Sequence, residues 1–166
     1  KKDNASTIGF AGKAAYNGMG DWAVAEFTAK GRKDSVDYTY FAVPGTKGVF
    51  DFLADSFTLP KGAKNPGGSK DWLNLIGSAE GQKAFNLAKG SIPARTDVAP
   101  TDFPPYQQTA MASFKSDKIA PSIAHGAAVS QAWNSDISSA ISKFYGSKNQ
   151  ATLIADLVAA AKKNAV

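Results

Sequence analysis

Apolar side chains recur in two rhythms along the 166 residues, and the change falls after Leu59. Before it, Ile8, Phe10, Ala14, Ala15, Tyr16 and Met19 predict a short helix end and then a buried strand over 14–18. Ala23 to Ala29 reads as one or two helical turns, followed by a loop at Gly31, Lys33 and Asp34. The alternation Tyr38, Tyr40, Ala42 predicts a strand that Pro44-Gly45 ends. Val49 to Leu59, rich in Val, Phe and Leu, predicts another, closed by Pro60 and Gly62. After Leu59 the spacing becomes helical. Asn65-Pro66 opens a helix with Trp72, Leu73, Leu75 and Ile76 on its apolar stripe. Ser78 is a candidate cap, with Glu80 in the first turn of a helix carrying Ala84, Phe85 and Leu87. Lys89 to Asp97 is a loop. Pro104-Pro105 opens a helix with Tyr106, Met111 and Phe114, and Pro121 starts a fresh segment. Ala127 to Phe144 is helical on the four-residue spacing of Val129, Trp133, Ile137 and Ile141. Asn149 to Lys163 is the last helix, with Leu153, Leu157 and Ala161 on one face. Strands first and helices after suggest α+β, or one piece of a larger α/β protein. The second fits better, because about three strands without partner strands make a poor domain.

Composition changes this picture little. Hydrophobic content is 43% and charged content 20%, ordinary for a globular chain. No apolar run approaches the roughly 18 residues of a membrane span. The net charge is +5, but the Lys and Arg residues are scattered and do not interleave with aromatics, so no nucleic-acid path is built. With no cysteine, thiolate chemistry and disulfides are excluded. The opening residues Lys1-Lys2-Asp3-Asn4-Ala5-Ser6 are polar and have no apolar leader core, so export would have to be directed by residues outside this sequence.

Catalytic signatures are absent. The one histidine, His125, can be joined on paper to Ser91 and Asp55, but Ser91 lies in no Gly-x-Ser-x-Gly elbow. One histidine makes no zinc site, and neither dinucleotide nor P-loop glycine pattern occurs. Four short clusters stand out instead: Met19-Gly20-Asp21-Trp22, Ala54-Asp55-Ser56, Lys89-Gly90-Ser91-Ile92-Pro93-Ala94-Arg95 and Pro121-Ser122-Ile123-Ala124-His125-Gly126. Sugars suit such a mixture. A pyranose offers a C–H face to an indole and a rim of hydroxyls to charged donors and acceptors. Each residue also has a plain reading: Trp22 as core, Asp55 paired with a nearby cation, Lys89 at a helix C-terminus and His125 at a helix N-terminus or satisfied in the core.

Together the clusters resemble the C-terminal portion of bacterial ABC-transporter solute-binding proteins for sugars, especially the glucose/mannose group. The resemblance runs through Gly12-Lys13-Ala14-Ala15, Met19-Gly20-Asp21-Trp22-Ala23, Pro44-Gly45-Thr46, Ala54-Asp55-Ser56, Ser78-Ala79-Glu80-Gly81-Gln82-Lys83-Ala84-Phe85, Lys89 to Arg95 and Pro121 to His125. It implies a two-lobe, hinged α/β architecture of the periplasmic-binding-protein type II. Residues 1–41 are expected in the second lobe, 42–46 at a hinge crossing, 47–88 back in the first lobe, 89–104 at a second crossing and 105–166 in the helical remainder of the second lobe. It implies that Trp22 stacks on the sugar, that Asp55, Lys89 and His125 bond its hydroxyls, and that Gly20-Asp21 shapes the loop presenting Trp22.

The implied function is the extracytoplasmic sugar-binding component of an ABC importer, not an enzyme. It would close its lobes on a monosaccharide, glucose first, and deliver it to permease subunits, free in the periplasm or lipid-anchored. No metal or organic cofactor is implied. Family members exceed twice this length, so an N-terminal portion is expected to complete the fold and to cover an apolar face. A stand-alone carbohydrate-binding module or a fragment of a carbohydrate-active enzyme is the alternative.

Overall fold

The computed structural model describes residues 13–164, and these fall into two compact units. One takes the residues up to Gly48 and Asp55–Asp117; the other takes Val49–Ala54 and the residues from Lys118 onward.

The first unit is helical: α1 (Ala23–Ala29), α2 (Pro66–Gly77), α3 (Ala79–Lys89), a 3-10 turn (Pro100–Asp102) and α4 (Pro105–Ser116). Local chemistry fixes the helix ends. The Asn65 side chain accepts from the Gly68 N–H at 3.0 Å, and Pro66 occupies the first turn of α2, where its missing N–H costs nothing. Ser78 serves two helices. Its hydroxyl donates to the Leu75 carbonyl at 2.7 Å and accepts from the Gly81 N–H at 3.0 Å. The two helices therefore meet almost without a loop, and Gly81 is pressed against α2. A Cβ added at Gly81 would lie 2.0 Å from the Leu75 carbonyl oxygen. Ala23, Val98 and Phe103 are buried here, together with the polar Asn86 and Gln107.

The second unit joins a strand pair to a helical hairpin. Strand β1 (Val49–Phe52) lies parallel to β2 (Lys118–Pro121), with Val49 opposite Lys118 and Phe52 opposite Pro121. The Ser122 N–H extends the ladder to the Phe52 carbonyl at 2.9 Å. Helix α5 (Gln131–Ser147) starts at Ser130, whose hydroxyl accepts from the Trp133 N–H at 3.2 Å. It packs on α6 (Gln150–Asn164) through the buried Ala140 and Ala160, small residues that let the two helices approach. Lys143–Asp156 (3.1 Å) and Lys163–Asp136 (3.0 Å) bridge the pair at its surface.

All five helices predicted after Leu59 are present. The one expected from Ala127 begins at Gln131, because Ser130 supplies the cap that Ala127 cannot. The strands differ more. Residues 14–18 form no strand, and Tyr38 makes only an isolated bridge to Asp34. The stretch from Val49 is extended in a ladder only as far as Phe52. Strand β2 was not predicted. A strand forms only where a partner offers its backbone groups, and among the described residues only one such pairing exists. Ile8 and Phe10 lie outside the described residues. The mixture of many helices with few strands is consistent with an α/β class. Large apolar side chains remain in water in both units: Tyr16, Val36, Phe41, Val43 and Leu75 in the first, Ile141 and Tyr145 in the second.

Gly81→Ala should lower stability by about 2 kcal/mol or more in urea unfolding, because the clash is with backbone that cannot turn aside. Gly77→Ala meets nothing within 4 Å and should stay within about 0.5 kcal/mol of the parent.

Candidate functional site

The loop that follows α3 is held by amide side chains. Gly90 ends the helix with φ +84°, left-handed backbone that favours glycine. A Cβ there would also stand 2.9 Å from the Ala25 backbone nitrogen and 3.4 Å from the Trp22 carbonyl oxygen, so the turn lies directly on the start of α1. Asn86, buried inside α3, accepts from the Ser91 hydroxyl at 2.7 Å and donates to the Gln82 carbonyl at 2.7 Å. Gln82 donates to the Ile76 carbonyl at 2.8 Å and accepts from the Ala94 N–H at 2.9 Å. Gln107 reaches in from α4 and donates to the Ser91 carbonyl at 2.6 Å and the Asn86 carbonyl at 3.0 Å. Beyond them, Arg95 grips Asp97 with two parallel bonds (2.7 and 2.6 Å) and touches the Gly77 carbonyl at 3.2 Å. That pairing raises the Arg95 pKa and lowers that of Asp97.

This scaffold aims Lys89, the last residue of α3. Its ammonium forms an ion pair with the Asp55 carboxylate and lies 5.8 Å from the centre of the Phe85 ring, one turn back. Asp55 is in a loop rather than a strand and is 53% exposed at its side chain. The sequence expectation of an apolar strand around it is corrected: the ladder stops three residues earlier. A second carboxylate, Asp21, stands near Lys89 from the loop before α1. Burial pushes its pKa up, opposed by the backbone N–H of Trp22, the Lys89 charge and the backbone N–H of Ile92. Tyr106 of α4 faces Asp21. Its phenol is pushed up to about 12 by burial first, then by the charge of Asp21 and by Tyr40, whose ring it meets edge-on at 4.6 Å.

Trp22 is half-buried, and its indole lies over Gly20; a Cβ at Gly20 would fall 2.3 Å from the ring. Glycine is required there for the ring to rest on the backbone. Of the four residues expected to contact sugar, the structure thus pairs Asp55 with Lys89 and brings the Trp22 backbone against the turn that follows Lys89. His125 belongs to the other unit. Its Nδ1 lies 2.9 Å from the hydroxyl of the buried Ser122. Ser122 is itself fixed, its N–H on the Phe52 carbonyl and its carbonyl accepting from Ala127 (3.0 Å) and Ala128 (3.2 Å). The imidazole is therefore oriented by the end of the strand pair. A shallow hollow of the first unit, lined by Thr58, Asn65, Gly68, Ser69, Trp72 and Leu73, includes none of the four.

Sequence reasoning missed Asn86, Gln107 and Tyr106. Asn86 had a signal, since it interrupts the apolar run Ala84-Phe85-Asn86-Leu87-Ala88. Gln107 had none, because a glutamine on a helix reads as solvated.

The profile of the family described as bacterial extracellular solute-binding protein matches residues 3–112. An uncharacterised ABC transporter extracellular-binding protein of Pyrococcus horikoshii is 40% identical over 164 residues, which is 98% of this chain and 37% of that protein. A Brucella suis protein named "Probable sugar-binding periplasmic protein" is 35% identical over 94% of this chain and 38% of its own length. A xylose/arabinose-binding protein of Haloferax volcanii is 33% identical over 71% of this chain and 26% of its own. The chain spans less than two fifths of the length of these relatives.

Gln107→Leu should cost about 1–3 kcal/mol, because the Ser91 carbonyl loses its donor inside the protein. Hydrogen exchange should show faster opening of residues 90–95 with little change in α5 and α6.

Proposed function

This chain belongs to the bacterial extracellular solute-binding proteins, and we propose that it is part of the sugar-binding component of an ABC importer. In this reading a longer polypeptide closes two lobes on a monosaccharide outside the cytoplasm, in the periplasm or lipid-anchored, and presents it to permease subunits. Glucose is the first ligand to test. The pentoses named for the Haloferax relative are the second.

The observation that carries the reading is the Lys89–Asp55 pair on a turn fixed by buried amides and lying against the Trp22 loop. An exposed carboxylate and an ammonium side by side offer an acceptor and donors to vicinal hydroxyls. An indole supplies the apolar face that sugar C–H groups need. Trp22, Asp55 and Lys89 are assigned as contacts on that ground, and His125 by the resemblance and by the Ser122 bond that orients its ring. Residues 42–46 and 89–104 are assigned as the hinge crossings, with 1–41 and 105–166 in one lobe and 47–88 in the other. The share of relatives covered and the apolar side chains left in water support a further portion of chain that completes the fold. Sugar then favours the closed form because only there do both lobes touch it.

Calorimetry on the complete polypeptide tests this. Glucose, mannose, galactose, xylose and arabinose are titrated into the parent, and the tightest into Lys89→Ala, Asp55→Ala, Trp22→Ala and His125→Ala. Each variant should bind at least about tenfold more weakly, the scale of one charge-assisted bond. Unchanged affinity in Lys89→Ala removes Lys89 from the site. Turnover in a reducing-sugar assay would turn the reading toward an enzyme, and tight binding by residues 1–166 alone toward a stand-alone module.

A further inference from the structure

We propose that Ser122 is a positioning residue for sugar binding: its hydroxyl donates to Nδ1 of His125, keeps the ring proton on Nε2, and so makes His125 a donor to the ligand. The inference rests on the functional reading above and deepens it, since that reading assigns His125 as a contact without saying whether it gives or takes a hydrogen bond.

Ser122 is the first residue after β2 and is only 3% exposed, whereas His125, three residues on, is exposed. The main chain of Ser122 is held on both sides. Its N–H bonds the Phe52 carbonyl at 2.9 Å, and its own carbonyl accepts from Ala127 and Ala128 at 3.0 and 3.2 Å. The side chain therefore projects from a fixed point at the end of the strand pair. The turn closes at Gly126, whose N–H reaches the Ile123 carbonyl at 3.0 Å and whose φ of +73° suits glycine. Within this turn the Ser122 hydroxyl lies 2.9 Å from Nδ1 of His125. Among the described residues that is the hydroxyl's one hydrogen bond.

Two arrangements of the protons satisfy that contact, and they differ in cost. If Nδ1 carried the ring proton and donated to the hydroxyl, the Ser122 hydrogen would need a second acceptor in a buried place, and none of the described residues supplies one. If the hydroxyl donates to Nδ1, its hydrogen and the ring lone pair are both satisfied. Only lone pairs of the hydroxyl oxygen then go unused, which proteins tolerate better than an orphaned hydrogen. The second arrangement puts the proton of the neutral ring on Nε2. A ring able to change tautomer could meet a ligand as donor or as acceptor. One held by Ser122 meets it as a donor, so the ligand must bring an oxygen lone pair to that place, and a sugar lacking the hydroxyl there is rejected.

The complete polypeptide is prepared with isotope-labelled histidine as parent, Ser122→Ala, His125→Ala and the double variant. Long-range proton–nitrogen correlation spectra at about pH 9, where an imidazole is ordinarily neutral, report which ring nitrogen carries the proton. The His125 signals are those lost in His125→Ala. Affinity is measured by calorimetry with the monosaccharide that the parent binds tightest. The parent ring should carry its proton on Nε2, and Ser122→Ala should shift it toward a mixture of the two tautomers. Ser122→Ala should bind about fivefold more weakly, and the same change in the His125→Ala background should alter affinity less than about twofold. A parent ring protonated on Nδ1 overturns the proposal. So does a tautomer or an affinity unchanged in Ser122→Ala, and so does an undiminished effect in the His125→Ala background, the mark of a merely structural serine. If Ser122→Ala does not fold, the parent spectrum decides: a proton on Nε2 supports the proposal and one on Nδ1 ends it. A parent that binds none of the five sugars defeats the functional reading and this binding role together; a parent that binds with its ring protonated on Nδ1 defeats only the inference.

Discussion

The turn that carries Lys89 depends on three neutral amides, Gln82, Asn86 and Gln107, which bond the Ser91 carbonyl and hydroxyl and the Ala94 N–H. A buried amide left unpaired is costly, so Asn86 and Gln107, both buried, admit few arrangements of the residues they bond. The turn can then place a flexible lysine with more precision than its own four-carbon stem allows. The helix adds its share, since an ammonium at the C-terminal end of α3 faces the negative end of the peptide dipoles. Asp55, an exposed loop residue, takes its place by meeting a cation that is already held.

The helices were legible because their signals are local. Asn65 and Ser78 cap where their spacing says, and Leu73, Trp133, Ile137 and Leu153 mark half-buried stripes. The strands were not, because alternation in Tyr38, Tyr40 and Ala42 says nothing about whether another segment will offer its N–H and C=O groups. Strand β2, Lys-Ile-Ala-Pro, is too short to show any period. For the site, Asp55, Lys89 and Trp22 stood out as residues, but the pairing of the first two spans loops that no spacing rule connects.

The resemblance was carried by the stretches from Ser78 to Phe85 and from Lys89 to Arg95, and the structure supplies a physical reason for them to occur together. Gln82 in the first bonds Ala94 in the second. Ser78 and Gly81 set the sharp passage from α2 to α3, and Arg95 fastens the far end of the loop to the Gly77 carbonyl. Most of both motifs is thus scaffold, and the one side chain presented for chemistry is Lys89. The same distinction applies to Trp22, where Gly20 matters because the indole lies on it, and to His125, whose ring takes its direction from Ser122.

The parallel pairing of β1 with β2 has a consequence for how the polypeptide is made. On the ribosome β1 emerges well before β2, because α2, α3 and α4 are synthesised between them. During that interval the backbone donors and acceptors of Val49 to Phe52 lack their pairing with β2. A short apolar strand waiting in this condition is a site for mispairing with neighbouring nascent chains. Closure of the intervening segment also has to precede the ladder, which makes this contact a slow one to form. Asp51, a charge set between Phe50 and Phe52, is the side chain on that strand best suited to discourage association while it waits.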